Sequence, residues 1–240
     1  MSALLSKNVF LNTKDISFGK TFPSSSKRGT WDKTNAAIID KSIIFRAVVI
    51  VKNDKTSDLI ANVIKNYEKC AAKKGYIGFS YEIHSIHDPV SSYIIIMDNS
   101  GNIVSYARIT VKNKDNKLPI EYAIIKYSDK KYNIKENQKI CEINTFAYSD
   151  RSSLPILYDS ILGQLHINNI DKILVMVDPE NSTTSFLYSS LGFKASKNYN
   201  EQIFFPTYGK EINKKLYPTY WNILELETRK MSPNYPSFLL

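Results

Sequence analysis

A chain of 240 residues, 43% hydrophobic and 12% aromatic, can bury a sizeable core and is long enough for one domain with an appendage. Its 8 glycines, 9 prolines and 23% charged residues exclude both a collagen-like fibre and a chain too polar to collapse. The 32 basic and 23 acidic residues leave a net charge of +9, which favours encounter with nucleic acid, anionic membrane, phosphorylated cofactors or an acidic carrier protein; the lysines are scattered, and solvated faces are the plainer reading.

Residues 1–40 contain the aperiodic stretch Ser24-Ser25-Ser26-Lys27-Arg28-Gly29 and read as a partly ordered arm ahead of a domain over 41–240. Ile43 to Val51 is rich in β-branched residues and predicts a first strand. Ser57 is a candidate cap for a helix whose Leu59, Ile60, Val63, Ile64, Tyr67 and Cys70 follow the helical period, with Lys73, Lys74 and Gly75 as stop signals. Two strands, Ser92 to Asp98 and Ile103 to Val111, flank the hairpin signal Asn99-Ser100-Gly101-Asn102. Residues 112–138 are Lys- and Asn-rich, broken by Leu118-Pro119, and suggest a long excursion. Lys139 to Tyr148 is a fourth strand, followed by a helix carrying Leu154, Leu157, Ile161 and Leu165. Lys172 to Val177, continuously apolar after its lysine, suits a fifth strand covered on both faces. A helix from Asn181 or Ser182 to Gly192 should turn Phe186, Leu187 and Leu191 inward, and strands follow near Gln202 to Phe205 and Tyr220 to Glu227. This order predicts a mixed α/β layer architecture.

Cys70 and Cys141 each sit in an apolar periodic segment, as buried free thiols of a reducing compartment would. No apolar run approaches the roughly 20 residues of a membrane span, and Met1 to Phe10 lacks the pattern of an export signal. A soluble, cytoplasmic protein is the expectation.

The segment Asn181-Ser-Thr-Thr-Ser-Phe-Leu-Tyr188-Ser-Ser-Leu-Gly192-Phe193 resembles the GNAT acyltransferase superfamily, and the element order is similar over residues 43–227. His87-Asp88 ahead of the hairpin with Gly101 and Arg108, Glu142-Ile-Asn144-Thr145-Phe146-Ala147 on the fourth strand, and Leu118-Pro119-Ile-Glu121 are similar to the branch of N-acyl amino acid synthases and acyl-homoserine lactone synthases. The resemblance implies a mostly antiparallel sheet with helices on both faces, and fourth and fifth strands splayed to receive an acyl donor between Phe146-Ala147-Tyr148 and Val175-Met176-Val177. Two departures matter. Most members hold the coenzyme A pyrophosphate in an Arg-x-x-Gly-x-Gly loop, whose glycines let backbone N–H groups reach the phosphates; Asp150-Arg151-Ser152-Ser153-Leu154-Pro155 lacks both glycines, which favours a donor carried by an acyl carrier protein. The arginine usual in the lactone synthases' fourth-strand motif is Thr145.

Acyl transfer to an amine needs a base, an oxyanion site and a proton for the thiolate. Glu142, the lone carboxylate of an apolar strand, is the candidate base or amine-orienting group, with a solvent-facing or Arg108-paired residue as the alternative. Tyr188 takes the general-acid position by resemblance, against an ordinary aromatic on an apolar helix face. Arg108 offers a planar fork for an acceptor carboxylate or carrier phosphate, or simply pairs a neighbouring strand; Asp88 is an acceptor-site residue or a turn cap. Asn144, Thr145, Phe146, Ala147, Tyr148, Arg151 and Asn181 complete the candidate substrate-binding set. His84, His87 and Asp88 make an incomplete zinc set, and no metal is expected. Trp31 and Phe22 either line an acyl pocket or staple the arm to the sheet. A long chain requires an apolar tunnel, expected between the sheet and the helix from Ser57 to Lys74 with Tyr93 and Phe146 at its wall.

The reading is an N-acyltransferase that moves a medium or long acyl chain from an acyl carrier protein to the amine of an amino acid or similar small acceptor. It would hold no permanent cofactor, meeting its donor on phosphopantetheine. The alternatives are an acetyl- or acyl-coenzyme A-dependent enzyme and a non-catalytic binding module of the same fold. Neither a nucleic-acid partner nor a membrane span is expected.

Overall fold

The computed structural model describes residues 45–79, 85–135 and 139–230. The predicted arm, with Phe22 and Trp31, and His84 lie outside them. In chain order the elements are β1 (Arg46–Ile50), α1 (Ser57–Lys73), β2 (Tyr76–Ile77), β3 (Ser91–Met97), β4 (Ile103–Val111), β5 (Ile124–Ile125), β6 (Ile140–Tyr148), α2 (Leu154–Ile167), β7 (Lys172–Val177), α3 (Ser182–Ser190), β8 (Lys194–Ala195), β9 (Ile203–Phe204), β10 (Gly209–Ile212), β11 (Lys215–Pro218) and β12 (Asn222–Glu227). The main sheet runs β1-β3-β4-β6-β7-β12-β8, antiparallel except between β6 and β7. Two small sheets, β11-β10-β2 and β5-β9, stand beside it.

Alternation along the strands builds two cores. Tyr93, Ile95 and Tyr106 pack with Ile60, Val63 and Ile64 of α1 on one face. Ile94, Ile96, Ala107, Ile109, Cys141 and Ile143 pack with Leu154, Leu157, Ile161 and Leu165 of α2 and Leu187 of α3 on the other. Leu154, Leu157, Ile161 and Leu165 are all buried, so every predicted apolar position of α2 faces the core, each such side chain contributing about 1.5–3 kcal/mol. The hairpin turn is closed by Asp98, whose Oδ1 accepts the N–H groups of Ser100 and Asn102, both at 2.9 Å.

Several expectations are corrected. Thr56, not Ser57, is the N-cap residue of α1; Asn53 Oδ1 accepts the amides of Lys55 and Thr56, so the turn before the helix is built one residue earlier. Phe186 is 62% exposed, because the inward stripe of α3 passes through Leu187 and Tyr188. The excursion over 112–138 is not a bare loop. It holds a 3-10 turn, Pro119–Tyr122, and β5, and buries Leu118, Ile120, Ala123, Ile125 and Ile134 against Ile140, Leu174 and Ile223. The small β11-β10-β2 sheet has no counterpart in the sequence reading.

Candidate functional site

Strands β6 and β7 are paired at Ile140↔Lys172, Cys141↔Ile173 and Glu142↔Leu174, and nowhere further along. Beyond that, β6 pairs only with β4, while β7 continues along β12 through Leu224↔Val175, Ile223↔Met176 and Asn222↔Val177. The sheet therefore opens into a wedge between Ile143–Tyr148 and Val175–Val177, as the resemblance implied. A β-bulge shapes its β6 wall. Tyr106 faces Ala147 but Arg108 faces Asn144, so two steps along β4 match three along β6, and Thr145 takes φ +52°. A β-branched residue at positive φ is unusual. The extra residue swaps side-chain parity: Phe146 joins the α2 side, whereas Ala147 packs on the α1 side.

Glu142 lies at the apex of the wedge, fully buried, on the face opposite Cys141 and Ile143. Its Oε2 accepts the Ile120 N–H at 2.9 Å, and its Oε1 has no hydrogen-bond partner among the described residues. Burial pushes its pKa up to about 8, against the pull of the Ile120 amide and the Arg108 charge. A solvent-facing position is thus ruled out. The Leu118-Pro119-Ile120-Glu121 turn delivers that amide: Glu121, itself buried, accepts from Leu118 N–H (2.7 Å) and Ile134 N–H (2.9 Å) and pairs with Lys112 at 2.9 Å. This positioning role of Glu121 escaped the sequence reading, although the Pro followed two residues later by Glu was its visible signal.

Next to Glu142 the same face holds a buried polar chain. Arg108, with no exposed surface, donates from Nε to Asn144 Oδ1 at 2.6 Å and lies 3.6 Å from Asp88 Oδ1. Asp88 also accepts from Tyr93 OH at 2.7 Å and from Lys52 at 3.0 Å. Asp88 opens a 3-10 turn whose neighbour His87 is pushed down to about 4, first by burial and then by the Arg108 charge. Among the described residues no group of three His, Cys, Asp or Glu side chains could hold a metal.

Tyr188 sits across the sheet from this chain, buried against Phe146 (6.1 Å between ring centres) and Phe193 (5.2 Å). Burial raises its pKa, and the nearby Tyr67 and Glu142 add to the shift, so the hydroxyl stays protonated. An apolar cleft of about 30 Å³ lies on this side among the described residues, between β6, α2 and α3, lined by Ile143, Phe146, Leu154, Leu187, Tyr188 and Phe193, among others. Tyr93 packs under α1 on the opposite face, so the expectation that Tyr93 and Phe146 share one tunnel wall is corrected.

The remaining candidates separate. Thr145 is buried and donates to Asn144 Oδ1 at 3.2 Å; Tyr148 ends β6 at 38% exposure, and Arg151 is exposed at the start of the turn into α2. Asn181 caps α3, its Oδ1 accepting Thr184 N–H at 3.2 Å. At the mouth of α2 three amides are already used. Ser152 N–H goes to Asp150 Oδ1 (2.8 Å), Ser153 N–H to Asp150 O (3.3 Å) and Leu154 N–H to Arg151 O, while Pro155 has none.

No helix among the described residues is long and apolar enough to cross a membrane. No family model and no curated protein matches the chain. Among solved structures it is similar to FeeM, an N-acyl amino acid synthase from uncultured soil microbes, at 16% identity over 78% of this chain and 93% of that one, with a TM-score of 0.50. A probable acetyltransferase from Staphylococcus epidermidis aligns at 12% identity over 76% and 99% of the two chains with TM-score 0.48. Spermidine N-acetyltransferase from Vibrio cholerae, in complex with CoA and spermine, aligns at 14% over 77% and 96% with TM-score 0.46. With its sheet order, its helices on both faces and the wedge between β6 and β7, the chain has the GNAT acyltransferase fold.

Proposed function

We propose that the protein is an N-acyltransferase that takes a medium or long acyl group from the phosphopantetheine of an acyl carrier protein and delivers it to the amine of an amino acid or similar small acceptor. The observation that carries the donor assignment is the self-occupied mouth of α2. Where a pyrophosphate would need free amides, the Asp150 carboxylate already caps Ser152 and adds a repelling charge. A carrier protein presents a single phosphodiester and asks less of this turn, and the net charge of +9 suits an acidic carrier.

In this reading the thioester lies in the wedge, its carbonyl facing the unpaired backbone of β6. The acceptor nitrogen attacks the carbonyl carbon, Glu142 takes the amine proton at Oε1, and the departing thiolate receives the Tyr188 hydroxyl proton. The wedge lets a base on one face and an acid on the other act on one reacting centre. The acyl chain follows the apolar cleft between β6, α2 and α3, whose free volume of about 30 Å³ must widen to admit it.

The test offers the purified protein matched acyl-carrier and acyl-coenzyme A thioesters, with amino acids and their decarboxylated amines as acceptors, and detects N-acyl products by mass spectrometry. Carrier thioesters should give the higher kcat/KM. Equal or better turnover of acyl-coenzyme A would favour a coenzyme A-dependent enzyme. Affinity across a series of acyl-pantetheines should climb by ~0.8 kcal/mol per methylene; a flat series would remove the long-chain assignment.

A further inference from the structure

Beyond the end of β7 the structure builds a wall on the Glu142 face of the wedge. Asp178, only 3% exposed, accepts from Tyr76 OH and pairs with Lys210 at 3.0 Å, and it also receives the Glu180 amide at 2.9 Å. Tyr76 and Lys210 are themselves a cross-strand pair of β2 and β10. One carboxylate therefore clamps the small sheet to the main one. Backbone contact at two glycines sets the small sheet's own seam: a Cβ on Gly78 (φ +79°) would meet Thr207 O at 1.7 Å, and one on Gly209 would meet Tyr217 O at 2.0 Å.

Against this clamp stand three stacked rings, Tyr76, Tyr208 and Trp221, with centres 5.7–5.8 Å apart. Trp221 precedes Asn222, which pairs with Val177, so it flanks the open part of the wedge. It belongs to the cluster of Ile120, Ile140, Leu174 and Met176, which places it on the Glu142 face. Its backbone is pinned by hydrogen bonds with Ile203 in both directions, at 2.8 and 3.1 Å. Its indole Nε1 is buried and has no hydrogen-bond partner among the described residues. A buried donor without a partner costs stability unless something fills it. Four buried side-chain atoms lack a hydrogen-bond partner among the described residues, Tyr106 OH, Thr219 Oγ1, Glu142 Oε1 and Trp221 Nε1, and of these Glu142 Oε1, an acceptor, and Trp221 Nε1, a donor, flank the wedge.

We propose that Trp221 is a specificity-determining residue of the acyl acceptor site, its indole N–H donating to a carboxylate or carbonyl oxygen of the acceptor while Glu142 serves the amine. The proposal rests on the acyltransferase reading above. The small sheet is then the acceptor-side wall, Asp178 is its positioning residue, and an amine that carries an oxygen acceptor is selected over the same amine without one.

Trp221→Phe keeps the stacked ring and deletes the N–H. With an amino acid as acceptor it should raise the acceptor KM about tenfold, leave the donor KM and kcat near wild type, and leave KM for the matching decarboxylated amine unchanged. Binding is read without turnover in Trp31→Phe protein, where Trp221 is the remaining tryptophan: its emission should change saturably with alanine and stay constant with ethylamine. Turnover with an unaltered acceptor KM in Trp221→Phe and constant Trp221 emission would overturn this proposal and leave the acyltransferase reading standing. Absence of N-acyl product with every donor and acceptor would overturn that reading, and constant emission in the same protein would remove the Trp221 site with it.

Discussion

Glu142 is tied by one oxygen to the Ile120 amide, and burial holds its pKa near 8. Three consequences follow from the same number. Below it the base form is scarce, so kcat/KM should rise with pH and level off above about 8, and Glu142→Gln should lower turnover about 10²–10⁴-fold and flatten that slope. For stability the sign is negative: the folded protein keeps a proton that the unfolded glutamate, with its ordinary value of 4.5, releases, so wild-type stability falls as pH rises from about 4.5 to about 8. Glu142→Gln escapes that loss and should match wild type near pH 4 in urea unfolding but exceed it at pH 8. Equal midpoints at both pH values would mean that the carboxylate is well solvated after folding.

The turn into α2 and the seam of the small sheet show how elements carry such local chemistry. Asp150→Ala removes the cap of Ser152, which should cost about 0.5–2 kcal/mol of stability, yet it frees an amide and deletes a negative charge, so the kcat/KM ratio of coenzyme A to carrier thioester should rise. Gly78→Ala should destabilise by more than the roughly 1 kcal/mol that a tolerated Gly→Ala change gains, since it meets both a positive φ and the Thr207 carbonyl; thermal unfolding reads either variant. The same elements mark what could be read in advance. Ile103–Val111 and Lys172–Val177 match their predicted spans because hydrophobic patterning alone defines them. Strands β2, β10 and β11 were invisible: β11 is exposed at every position, so it carries no apolar alternation, and the pairing depends on two close backbone approaches. Glu142 stood out as a lone carboxylate. Asp178 did not, because its partner Tyr76 lies 102 residues away. The tunnel was misjudged for a single reason: strand parity puts Phe146 with Glu142, and only the bulge at Thr145 reverses it.

Taken across its surface the protein is a polycation of net charge +9, and its proposed donor protein is a polyanion. Long-range attraction of this kind is screened over about 10 Å at 0.1 M salt. Turnover of carrier thioesters should therefore decline between 0.05 and 0.5 M NaCl, through KM rather than kcat, whereas an uncharged acyl-pantetheine should show little change. A salt-independent KM for the carrier would mean that docking relies on apolar contact.

The wedge also divides the sheet mechanically. Strands β1, β3, β4 and β6 lie on one side of it and β7, β12 and β8 on the other, joined within the sheet by the three pairs ending at Glu142↔Leu174 and outside it by the α2 crossover, the β5-β9 pairing and the cluster that packs Ile120 and Ile140 against Leu174 and Ile223. With only three pairs at the seam, the β6–β7 edge is the part of the sheet expected to open locally most easily. Native-state hydrogen exchange should reveal this opening, with the β7 amides directed at β6 exchanging sooner than those directed at β12. Acyl-pantetheine, by bridging the two sides, should slow the first group selectively.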